Sequence, residues 1–277
     1  MITLSDLQAA HDFSISHAHV EKALGTAMRS HISLLRFVGR YTSWNGFFGS
    51  GVATLAGKIG RSRGAFLDPE QPVTALADRS VFVGSFFFDA ARDEFDDSST
   101  EHRDTHRCLA QSFVAGMARF SQLHDPVQLN ALLADPLWLK TLQQRVAIGY
   151  GAGSPDDPGH AFRAMGYHLG SEVLADQEFS LIDKALRHSD PELVGFLEKE
   201  RFEIAGVFHS CYHWLGIHSG HGGGVEHDHF EWAVQGVEKG FDYSPPAQHA
   251  ELREQIMRGF GDFARDHAEF FALVNRD

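Results

Sequence analysis

Four apolar helical stripes in this sequence are interrupted by ionisable residues. In residues 77–95 the stripe Val83, Phe87, Ala90 continues at Glu94. In residues 104–120 the stripe Leu109, Phe113, Met117, Phe120 begins at His106, with His102 one turn earlier. Glu172 falls within the face formed by Met165, Leu169, Ala175, Phe179, Ile182 and Leu186, and the face of Phe230, Ala233, Val237 and Phe241 starts with Glu226 and His229. Residues three and four apart share one side of an α-helix, so each of these groups is expected to point inward. A buried carboxylate without a partner costs several kcal/mol. Acids and imidazoles that converge from separate helices can offset that cost together by binding cations. The Glu226-x-x-His229 step sets an oxygen and a nitrogen ligand on one face, as in carboxylate-bridged di-iron and di-manganese bundles, although a ferritin-like bundle uses the step twice and here it occurs once. Oxygen and nitrogen donors without thiolate suit iron or manganese better than structural zinc.

Plainer roles compete for the same residue types. An inward Glu can be a helix-boundary or salt-bridged acid, and an inward His a satisfied core residue. Asp89, Asp93, Asp96 and Asp97 read as a solvated acidic face, and His11, His17, His19, His31, His160, His188, His249 and His267 as surface or packing residues. The Phe86–Phe88 cluster reads as ordinary core before it reads as a substrate wall.

The elements that must position these groups are helical throughout. Periodicity predicts helices over residues 19–38, 47–59, 77–95, 104–120, 160–187 and 225–241, with a last helix from about 245 to 274. Asp125-Pro126, Asp135-Pro136 and Asp190-Pro191 each predict an N-cap with proline at the first helical position. Residues 61–72 and 149–159 read as loops, and 219–224 as a Gly-rich interruption. No alternating strand pattern stands out, so the expected fold class is all-α, with one domain over residues 1–277. The GHGGG stretch follows no predicted strand and carries no phosphate-binding signal.

Composition narrows the function classes. The 277 residues are 43% hydrophobic and 22% charged, enough for a full core. Lys plus Arg number 24 against 37 Asp plus Glu, a formal charge of -13, which argues against nucleic-acid and anionic-membrane partners. The two cysteines are too few for a disulfide framework or a Cys-rich zinc site. No apolar run reaches the roughly 18 residues of a membrane span, and residues 1–11 lack a signal-peptide pattern, so a cytoplasmic location is expected. The chain carries 18 histidines, and 23 phenylalanines against 5 tyrosines. Phenylalanine brings bulk without a polar atom, and histidine brings ligands and proton carriers near neutral pH.

The order of the interrupted stripes resembles the haem-oxygenase-like di-iron oxidase superfamily. FFFDAARDEFDD followed by THRCLAQSFVAGM resembles its first metal-bearing stretch, AMGYHLGSEVLADQEFSLIDKAL its middle helix, and YHWLGIHSGHGGGVEHDHFEWAVQGV its last metal helix, and the resemblance as a whole covers roughly residues 30–243. The resemblance implies a haem-oxygenase-like helical bundle with a central metal and substrate cavity. Two ferrous ions would be held by Glu94, His106, Glu172, His218, Glu226 and His229, with the second ion labile. The last segment departs from the pattern, because His218 and Glu226 are separated by a Gly-rich insert. His213 and His221 therefore compete with His218, and His102 and Asp93 compete in the first segment. Phe86, Phe87, Phe113 and Trp214 are the candidate substrate walls.

The implied activity is dioxygen-dependent oxidation of a small metabolite, by N-oxygenation, desaturation or oxidative bond cleavage, with an external electron donor; a homodimer is compatible with it. Two alternatives stay open. One is the same fold without the di-iron site, as a thiaminase-like or quinone-maturation pocket enzyme or a haem-binding form. The other is a metal-carrying surface built on the His-rich residues 209–229.

Overall fold

The computed structural model describes residues 2–97, 104–219 and 225–276, apart from the side chains at 176 and 225–227. In chain order the elements are α1 (Leu4–Ala10), α2 (Phe13–Ala27), α3 (His31–Asn45), α4 (Phe48–Arg61), α5 (Thr74–Ala77), α6 (Ser80–Phe95) and α7 (His106–Phe120). There follow α8 (Pro126–Leu133), α9 (Leu137–Gly149), α10 (Pro158–Ser189), α11 (Pro191–Lys199), the strands β1 (Arg201–Ile204) and β2 (Val207–Ser210), α12 (His213–His218), α13 (Val225–Asp242) and α14 (His249–Leu273). The chain is mostly α-helical, as the periodicity predicts. No described helix is long and apolar enough to cross a membrane.

Short polar side chains set most of the helix starts. Asp125, Asp157 and Asp190 accept hydrogen bonds from the backbone N–H groups of Val127, His160 and Leu193, each just before a proline that needs no partner for its nitrogen. Elsewhere the predicted boundaries move, for local reasons. The expected helix over 19–38 is two helices, because the Ser30 hydroxyl takes the Ser33 N–H at 3.1 Å and starts α3 afresh. The expected start at 77 moves to Ser80, whose N–H is held by Asp78 at 2.8 Å. Asp135 does not cap α9: its carboxylate instead accepts from Ser43 Oγ at 2.9 Å and Gln143 Nε2 at 3.1 Å, leaving Pro136 at the N-cap. A single 3-10 turn, Pro246–Gln248, delays α14 to His249.

One hairpin overturns the expectation of no strands. β1 and β2 pair antiparallel, Arg201 opposite Ser210 through Ile204 opposite Val207, across a two-residue turn in which Ala205 and Gly206 take φ of 54° and 82°. Positive φ at both turn residues matches the twist of a tight hairpin. The hairpin is tied to the start of α7 by His209 Nδ1, 2.7 Å from Asp104 Oδ1, with both residues buried.

The long helix α10 is the spine of the bundle and packs on α14, α13 and α2, while α6 packs on α4 and α13 and α7 packs on α3. α10 and α14 meet backbone to backbone. A β-carbon at Gly166 would lie 2.0 Å from the Ile256 carbonyl oxygen, and one at Gly259 would lie 1.8 Å from the Arg163 carbonyl oxygen. Interiors pack too densely for either to be absorbed without moving a helix. Between α9 and α10, the expected loop is a compact turn held from below by Lys58. This fully buried side chain donates to the carbonyls of Ser154 and Pro155 and pairs with Asp156.

Candidate metal centre

The end of α6 and the start of α7 supply the first donors. Asp93 and Glu94 lie in the last turn of α6 and Asp97 just beyond it, a placement the helix dipole disfavours for carboxylates. Nearby imidazoles offset that cost. The Thr105 hydroxyl accepts from the Cys108 N–H at 3.0 Å and so fixes His106 as the first residue of α7. His106 Nδ1 lies 3.2 Å from Glu94 Oε1, and its Nε2 lies 3.5 Å from Asp97 Oδ2 and 3.8 Å from Asp93 Oδ2. Gly49 makes room for this approach, since a β-carbon there would lie 2.9 Å from the Glu94 Cβ.

The other donors come from α10, α12 and α13. Glu172 Oε1 is 3.0 Å from His168 Nδ1, one turn earlier on α10, and 3.3 Å from the Ser171 hydroxyl that donates to it. The second oxygen of Glu172 is 3.5 Å from His229 Nδ1, and His229 Nε2 is 3.2 Å from Asp93 Oδ2. The His229 ring thus links carboxylates of α6 and α10. His218 ends α12, stacks on Phe179 with ring centroids 4.4 Å apart, and lies 4.7 Å from the His106 ring. Its Nδ1–H donates to the Trp214 carbonyl at 2.6 Å. A carbonyl can only accept, so Nδ1 carries the proton and Nε2 keeps its lone pair, the tautomer a metal ligand needs.

Charge at the site follows from this packing. Burial opposes a positive charge on His106 and His229, but the surrounding carboxylates outweigh it and raise both to about 10: Glu94 and Asp97 for His106, Asp93 and Glu172 for His229. Burial and the charge on His106 together push His218 down to about 3. Glu94 and Glu172 are held below the ordinary carboxylate range, since His106 in the one case and His168 and His229 in the other outweigh burial. Without metal, His106 and His229 are therefore held in the charged form, and a cation must displace their protons to bind.

The residues fit a metal site. Donor atoms of Glu94, His106 and His218 all lie within 4.8 Å of one another, the one such grouping among the described residues. Neither nitrogen of His106 makes a hydrogen bond of good geometry with the carboxylates beside it, and His168 Nε2 is also buried without a partner. Donors that crowd together without facing one another suit a shared central ion. The four carboxylates Asp93, Glu94, Asp97 and Glu172 would balance two divalent cations if the imidazoles were neutral. A donor set of oxygen and imidazole nitrogen suits iron or manganese.

Five of the sequence candidates (Glu94, His106, Glu172, His218 and His229) are brought together here, and Asp93 joins them instead of replacing Glu94. His102 and His221 lie outside the described residues; Glu226 is in the first turn of α13, but its side chain is outside the description. His213 opens α12, five residues before His218, and its buried Nε2 has no hydrogen-bond partner. Asp93 and Asp97 are buried and are not part of a solvated face.

The predicted walls need correcting more than the donors. A cavity of about 270 Å³ beside the cluster is lined by Trp214, as expected, but otherwise by Phe48, Phe95 and Phe179. Phe86 packs on Phe82 and against Gly236, Phe87 on His168, and Phe113 on Tyr212 and Trp214. Phe87 and Phe113 are buried core residues because their helix faces turn toward α13 and the hairpin side and away from the cavity. Phe86 is half-buried, and Phe88, expected in the core, is exposed. Sequence reasoning also missed His168 and Asp97. His168 stands four residues before Glu172, a spacing that could have marked it.

No family model matches the chain, and no curated protein or solved structure matches it.

Proposed function

We propose that this chain is a haem-oxygenase-like, non-haem di-iron enzyme that uses dioxygen to oxidise a small metabolite. Support comes above all from one observation: Glu94, His106 and His218 converge from three helices on one point, bordered by Asp93, Glu172 and His229. One ion would be held by Glu94, His106 and His218, and a second by Asp93, Glu172 and His229. The chemistry that a pair of ferrous ions supplies in such a setting is reductive activation of dioxygen.

The protein's own groups prepare that chemistry. Carboxylates from α6 and α10 balance charge. The Trp214 carbonyl holds His218 in its ligating tautomer, and His168 orients Glu172. Phe48, Phe179 and Trp214 keep bulk water from the reacting centre. An acid–base pocket enzyme without metals needs one or two titratable groups and not four clustered carboxylates, so the metal-free pocket-enzyme alternative gains no support here.

Reconstitution with ferrous iron under anaerobic conditions, followed by desalting and metal analysis, tests the proposal. The expected result is about two irons per chain, with a spectral change on exposure to dioxygen. Retention well below one iron per chain would overturn it. Glu94→Ala and His218→Ala should each abolish retention of at least one ion.

A further inference from the structure

The cavity beside the cluster, whose lining also includes Glu94 and Glu172, has a second polar feature. Arg107, exposed in the first turn of α7, and Asn45, at the end of α3, both line it. Arg107 donates to the Thr42 carbonyl at 3.2 Å, and its guanidinium lies over Gly46, where a β-carbon would overlap it. Among the described residues no carboxylate pairs with Arg107. Arg61, Arg79, Arg119 and Arg163, by contrast, each pair with an acid. A cation in the first turn of a helix also opposes the helix dipole, so its place there calls for a negative partner. Asn45 Nδ2 is buried and has no hydrogen-bond partner. One donor without an acceptor, Asn45 Nδ2, and a guanidinium held only by a backbone carbonyl thus line one cavity, while Phe48, Phe179 and Trp214 line its apolar sides.

We propose that Arg107 and Asn45 bind the carboxylate of a small amphipathic organic acid, whose apolar body lies along Phe48, Phe179 and Trp214. A planar carboxylate matches the guanidinium fork. A monoanion is favoured over a phosphate ester because one guanidinium balances one charge in a protein of formal charge -13. That the far end of this acid is what becomes oxidised rests on the di-iron proposal; the binding itself does not.

Three probes of one shape separate the two ideas: 3-phenylpropanoate, 3-phenylpropanol and 3-phenylpropylamine, titrated calorimetrically into metal-free protein. The carboxylate should bind about 10- to 100-fold tighter than the alcohol, as expected for a charged hydrogen bond, and the amine weakest. Arg107→Gln should remove that preference while leaving alcohol binding in place, Arg107→Lys should keep part of it, and Asn45→Ala should weaken it. Gly46→Ala, which displaces the guanidinium without changing charge, should act like Arg107→Gln, with thermal melts showing that each variant is folded. Equal affinity for carboxylate and alcohol, no carboxylate binding at millimolar concentration, or unchanged carboxylate binding by Arg107→Gln would each overturn the proposal. None of these outcomes depends on iron retention, so failure of the di-iron proposal would show separately.

Discussion

His106 and His229 occupy a position only a charged or metal-bound imidazole tolerates. Each is buried, and each has carboxylates on both sides. Because both are raised to about 10 in the folded protein from an ordinary value near 6.5, the stability they confer is fully present below about pH 6.5. It is lost as the pH rises toward 10. Glu94 and Glu172 are shifted down, so their contribution is present above the ordinary carboxylate range and is lost as the pH falls below it. His218, pushed down to about 3, stays neutral in the fold while the unfolded chain takes up its proton below about pH 6.5. Metal-free protein should therefore melt at its highest temperature near pH 6.5 and lose stability steadily from 6.5 to 10, with a smaller loss in His106→Gln. A melting temperature that stays level or climbs over that upper range would contradict the assignment. His168 offers a second test, since it touches Glu172 and lies outside the closest donor trio. His168→Ala should weaken iron binding by roughly 10- to 100-fold, as removal of an orienting partner does, and competition against a chelator would measure it. Glu94, His106, Glu172 and His229 were legible in sequence because each breaks an apolar stripe, whereas His218 came only from the family resemblance. Asp97 was not legible, since it closes a run of acids that looks solvated, and His168 was overlooked although it stands one helical turn from Glu172.

At the scale of elements, two positions carry opposite predictions. Gly166 and Gly259 let α10 and α14 touch, and α10 carries Glu172 and His168. Gly259→Ala should cost about 1–3 kcal/mol or more in urea unfolding, because the added methyl meets backbone and not a movable side chain. Ala205, at φ 54° in the hairpin turn, holds a conformation that glycine adopts readily. Ala205→Gly should raise stability by about 0.5–1 kcal/mol, and a drop instead would mean that the turn is not built as described. The caps at Asp125 and Asp190 could be read directly because Asp-Pro marks a helix start. The hairpin could not be read: its strands are four residues long, contain Arg, Glu and His, and turn on Ala-Gly, not on Asn-Gly or Asp-Gly. The identity of the cavity walls was equally hidden, since the rotation of α6 and α7 against their neighbours decides which phenylalanine faces inward.

For the molecule as a whole, the helical class and the acidic balance follow from composition and periodicity. The meeting of α6, α7, α10, α12 and α13 at one point is a property of the packed bundle. Residues 79 positions apart (Asp93 and Glu172) flank one imidazole, that of His229, only once α10 is seated between α14 and α13. The central claim is that this meeting point holds two ions. Crystals of protein reconstituted with ferrous iron, measured at the iron absorption edge, test it most directly. Two anomalous peaks about 4 Å apart are expected, one against Glu94, His106 and His218 and the other against Asp93, Glu172 and His229. No peak at this position, or iron found only at surface histidines, would contradict the account.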